Sequence, residues 1–77
     1  MGTLARKSPE LTIKEVARRR AIIRRDAVYD DESAHAGEKS LWRDVLTCIA
    51  RGESSDPQQL AASALLTTRI SFSRWFA

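Results

Sequence analysis

The sequence predicts an all-α domain, a small bundle of three to four helices. Three observations carry that reading. Two proline-led helix starts are present, at Ser8-Pro9 and Asp56-Pro57. An arginine-rich stretch runs from Leu11 to Tyr29 without glycine or proline. A third segment, residues 41–50, alternates apolar and polar residues at about 100° per residue. The chain has 77 residues, enough for one domain with a modest core.

The first helix is expected over 9–29, after a flexible stretch 1–8. Ser8 can cap it, Pro9 suits its first position, and Glu10 complements its positive end. Thr12 and Glu15 have capping-box spacing and offer a second start. On a helical wheel Ile13, Val16, Ala17, Ala21, Ile23, Ala27 and Val28 share one side. Lys14, Arg18 and Arg25 lie at its edge, with Arg19 beyond, and read as a solvated basic face. Arg20 and Arg24 fall inside the apolar stripe, where an unpaired guanidinium is costly. They need acidic partners, a nucleic-acid backbone or a shallowly buried stripe, and Arg20 or Arg24 is expected to pair with a carboxylate of Asp30, Asp31, Glu32 or a second chain.

Residues 30–39 hold several acids and Gly37 with no apolar period, which reads as an acidic loop. The amphipathic helix follows over 40–51. Leu41, Trp42, Val45, Leu46, Cys48, Ile49 and Ala50 form one broad face, and Arg43, Asp44, Thr47 and Arg51 the other. Ser40 can cap its start, and Gly52 stands where a left-handed glycine closes a helix. Cys48, the single cysteine, reads as a core residue, and a reducing compartment with cytoplasmic localisation is expected.

The last segment, 57–76, starts with Asp56 as cap and Pro57 in the first turn. It reads as one helix or a helix pair. As one helix it has a stripe of Leu60, Ala61, Ala64, Leu65, Thr68, Phe72, Trp75 and Phe76. Leu66 and Ile70 then form a second ridge, which suggests another interface. A break near "LLTT" would give two helices, and "LTTRISF" has the β-branched content of a strand.

Charge is unevenly laid out. Residues 1–29 carry eight Lys/Arg against three acids, net +5. Residues 30–56 carry seven acids against three bases, net −4, and residues 57–77 add net +2. A basic head beside an acidic middle fits a nucleic-acid footprint, or mutual neutralisation within the fold or across a homodimer. No apolar run approaches the roughly 18 residues of a membrane span, so no membrane partner is expected. His35 is the single histidine and lacks companions for a metal site. The glycines are too far apart for a phosphate loop, and no serine has a readable base and orienting group. The residues point to a non-enzymatic protein with no cofactor, no metal and no small-molecule substrate.

The tail "DPQQLAASALLTTRISFSRWFA" resembles the helix-turn-helix of small phage and bacterial repressors. "QQLAASA" matches the positioning helix and "RISFSRWFA" the recognition helix. Ala62 takes the small position, and Phe72 and Trp75 the apolar anchors. Leu66 stands where that turn usually has glycine, and Thr67 where an apolar residue is usual. The resemblance implies that Arg69, Ser71, Ser73 and Arg74 face DNA.

Two functions follow as expectations. One is a regulator that binds duplex DNA through Lys14, Arg18, Arg19, Arg25, Arg69 and Arg74, as a homodimer. The other is a protein-binding inhibitor or assembly module, of the kind phages and mobile elements carry. It would meet an acidic protein surface through Arg20, Arg24, Leu66 and Ile70.

Overall fold

The structure, a computed structural model, describes residues 11–74. These are all-helical: α1 (Ile13–Tyr29), α2 (Asp31–Ala50) and α3 (Pro57–Leu65), then a 3-10 turn at Leu66–Arg69. No strand occurs among the described residues, so "LTTRISF" is not one.

α1 starts at Thr12, whose hydroxyl accepts from the Glu15 amide at 3.1 Å. The Ser8-Pro9 start lies outside the described residues. The face turned inward is the line Val16, Arg20, Ile23 and Ala27, with Val16 and Ile23 fully buried. The wheel position expected for the apolar stripe is rotated from this line. Ala21 and Val28 are exposed, and Ile13 is partly so, because α2 and α3 cover the Val16–Ile23 side.

The acidic segment 30–39 is not a loop; it is the first half of α2. Asp30 alone connects the helices, with extended backbone, and its amide donates to Asp26 O at 2.7 Å. Its carboxylate accepts from the Glu32 and Ser33 amides at 3.1 and 3.3 Å and from Ser33 Oγ at 2.8 Å. The acids thus sit where a helix N-terminus favours negative charge. The Ser33 hydroxyl, then its amide, hold the Asp30 carboxyl below the usual range.

The buried line of α2 is Ala34, Glu38, Leu41, Val45 and Cys48, at alternating spacings of three and four. Its early members are small or polar, so the helical period is faint in sequence. Gly37 lets α1 close in: a Cβ there would meet Ile23 Cγ1 at 3.2 Å. α2 ends as expected. Gly52 has φ +68°, its amide donates to Ile49 O, and Glu53 N donates to Cys48 O, both at 3.0 Å. That pattern is a Schellman closure.

α3 begins at Asp56, which accepts from the Gln59 amide at 3.1 Å, with Pro57 in the first turn. It ends at Leu65, and after the 3-10 turn Ile70 is extended and Ser71–Arg74 have no helix. The tail is therefore neither a long helix nor a helix pair over its described length. No recognition helix starts at Arg69, which removes the helix-turn-helix resemblance; Trp75 and Phe76 lie outside the described residues. The expected stripe shifts too. Leu65 and Thr68 are exposed, whereas Leu60, Ser63, Ala64, Thr67 and Ile70 are buried.

Carbonyls near the end of α3 accept from side chains. Arg20 Nη1 donates to Ser63 O at 3.0 Å and to Ser63 Oγ at 2.7 Å. Trp42 Nε1 donates to Ala64 O at 3.3 Å and to Thr67 Oγ1 at 3.0 Å. Thr68 Oγ1 donates to Leu65 O at 2.8 Å, and Arg74 Nη2 to Thr67 O at 3.0 Å and Ile70 O at 3.2 Å. Helix C-terminal carbonyls need such donors, and cations suit that end of the dipole. The core beneath joins Val16, Ile23, Ala34, Leu41, Val45, Cys48, Leu60, Ala64 and Ile70.

Candidate functional site

Several cations singled out in the sequence are engaged within the fold. Arg20 reaches Ser63, not a carboxylate, which corrects the pairing expected for it. Its place in the apolar stripe has a structural reason, since the stripe faces the end of α3, which wants a cation. Arg74, expected to face DNA, is tied into the fold although it stays partly exposed. Its Nε and Nη2 donate to the two Glu38 oxygens at 2.9 and 3.0 Å, and it lies over the Phe72 ring at 3.9 Å. Burial pushes the Glu38 carboxyl up, but Arg74 and Thr67 hydrogen bonds outweigh it and hold the group below the usual range. Arg19 donates to Asp44 at 2.8 Å and to Ser40 at 3.3 Å. Glu38 does not stand out in the sequence; an acid three residues before Leu41, on the buried line, is the available signal.

The outer face of α1 keeps Lys14, Arg18, Arg24 and Arg25, all exposed. Arg18 is paired with Glu15 at 2.6 Å, which lowers the Glu15 carboxyl and raises the guanidinium. Arg25 stands 3.7 Å from Asp26. Exposed pairs of this kind are worth little and yield readily to another anion.

On the α2–α3 side is an apolar groove of about 190 Å³ lined by Trp42, Val45, Leu46, Ala61, Ala64 and Leu65. No α1 residue lines it. The one polar lining side chain, the Trp42 indole, donates its N–H to Ala64 O and Thr67. Leu46 and Leu65 stand 65% and 55% exposed. Leu66 is 38% exposed, while Ile70, expected beside it on an open ridge, is buried in the core. The groove is not legible as a site in sequence because Trp42 and Leu46 belong to one broad apolar face, and only the packing decides which part stays uncovered.

A second hollow, about 290 Å³, lies between the last turns of α1 and the segment after the 3-10 turn. It is lined by Arg24, Ala27, Val28, Arg69, Ile70 and Ser71. The structure thus joins Arg24 and Arg69, which are expected from sequence on different surfaces. The carboxylate partner expected for Arg24 is absent: among the described residues neither Arg24 nor Arg69 is in an ion pair.

Among the described residues, no group of three or more His, Cys, Asp or Glu is placed to hold a metal ion. No described helix is long and apolar enough to cross a membrane. Comparison with protein families, with curated proteins and with solved structures finds no match to this chain.

Proposed function

We propose that this chain is a non-enzymatic binding module whose α2–α3 groove receives an amphipathic helix of a partner protein. The observation that carries the reading is the groove itself, open between Leu46 and Leu65 and apolar throughout its lining. Both walls repeat the spacing i, i+3, i+4: Trp42, Val45, Leu46 on α2 and Ala61, Ala64, Leu65 on α3. A third helix with leucine-type anchors packs into that pattern as in other helix-in-groove complexes. By helical spacing Lys39 and Arg43 stand on the α2 rim, both exposed, while Asp44 is turned to Arg19. The chemistry that fits is an apolar stripe with acidic flanks.

The test uses two synthetic helical peptides with the same leucine stripe, one with glutamate flanks and one with lysine flanks. Binding is followed on the Trp42 indole N–H by NMR. The expected result is a saturable shift with the acidic peptide, lost in Leu46→Asp and in Leu65→Asp. Shifts confined to α1, or unchanged in both variants, would contradict the groove. Light scattering on the unliganded chain tests a second copy as the occupant; a dimer dispersed by Leu46→Asp would replace the partner helix with a homodimer.

Duplex DNA is the second reading, and the row Lys14, Arg18, Arg24 and Arg25 is what favours it. Without a recognition helix such contact is to phosphates, with little base readout. Its sign is affinity for random duplex that falls steeply with salt and weakens when Arg18 and Arg25 become Ala. Salt-insensitive or absent binding would remove this reading.

A further inference from the structure

We propose that the Arg24–Arg69 hollow is an oxyanion site that takes a dianionic phosphate group. Such a site is additional to the groove and independent of it. Two segments far apart in sequence bring an arginine each to the lining of one hollow, with Ser71 as a third polar residue. Its remaining lining, Ala27, Val28 and Ile70, is apolar and carries no acid.

Two acids near the site are turned to other groups. Asp26, two residues beyond Arg24, is turned to Arg25. Asp30 accepts from the N-terminal amides and Ser33 hydroxyl of α2. Two cations lining one hollow, neither in an ion pair among the described residues, leave their donors open to a bidentate oxyanion. Two guanidinium forks match the charge and the oxygen count of a phosphate better than those of a carboxylate.

The turn that carries Arg69 and Ser71 is also held in place. Ile70, between them, is buried in the core at 7% exposure. The Arg74 guanidinium binds the carbonyls of Thr67 and Ile70 on the same turn. These bonds fix the backbone from which the Arg69 and Ser71 side chains extend.

The experiment titrates the full chain with inorganic phosphate at constant ionic strength, reading backbone amides by NMR, with acetate, chloride and random duplex DNA as parallel arms. The expected result is saturable movement of Ala27 and Ser71 amides by phosphate, with a dissociation constant on the order of millimolar. Arg24→Gln and Arg69→Gln each weaken it about tenfold, and Arg51→Gln, an exposed residue outside the hollow, leaves it unchanged. Retained helicity of each variant shows that folding is intact. Equal response to chloride, acetate binding as tight as phosphate, or saturation surviving in both variants would each overturn the proposal. Movement with duplex DNA and none with inorganic phosphate would overturn it in favour of a backbone contact.

Discussion

α2 and α3 end in different ways. α2 is closed by its own chain: Gly52 takes the left-handed turn, and the amides of Gly52 and Glu53 return to Ile49 and Cys48. α3 has no glycine after it. Arg20 from α1 and Trp42 from α2 supply donors to its last carbonyls, Ser63 and Ala64, and Arg74 from the tail binds Thr67 O in the 3-10 turn that follows. A local closure depends on one residue, and a tertiary closure ties three segments together. The second kind explains why an arginine sits in an apolar stripe.

The contrast is broken most strongly at Glu38, the buried anion beneath the tail. Glu38→Ala leaves Arg74 without its carboxylate and is expected to cost about 3 kcal/mol, read by urea unfolding. Arg20→Gln removes the cation from Ser63 and is expected to cost about 2 kcal/mol, or roughly 10 °C in melting temperature. Gly52→Ala should cost about 1 kcal/mol. An added Cβ there meets nothing within 4 Å, so the loss is backbone strain alone.

Acid sharpens the comparison further. Glu38 is held below its ordinary value of 4.5 in the folded state. A depressed carboxyl adds stability above the unfolded value and loses it as pH falls through the folded one. The chain should therefore weaken on acidification from about pH 4.5 downward, with Glu38→Gln showing a shallower loss over the same window. An identical slope in the variant would assign the acid sensitivity to Asp30 and Glu15, both also lowered.

What is legible in sequence follows the same division. Asp56, Gly52 and Cys48 act through neighbours in the chain or through their own period, and the sequence places them correctly. Of the broad face after Ser40, Leu41, Val45 and Cys48 are buried, whereas Leu46 and Ala50 are exposed, and Ser40 lies inside α2 rather than capping it. The first half of α2 is hidden because Ala34, Gly37 and Glu38 make its buried line small and polar, and because acids that stabilise a helix start also look like a loop. The end of α3 is hidden because its donors come from up to 43 residues away. The Arg24–Arg69 hollow and the Leu46–Leu65 groove depend on which faces the packing leaves open, which no periodicity reports.

Arginines one helical turn apart are placed differently: Arg20 closes α3, and Arg24 lies exposed in the hollow it shares with Arg69. Thermal unfolding of Arg20→Gln and Arg24→Gln side by side tests that central claim. The account predicts a drop of roughly 10 °C for Arg20→Gln and a change within about 2 °C for Arg24→Gln. Equal drops, or a larger one for Arg24→Gln, would contradict it.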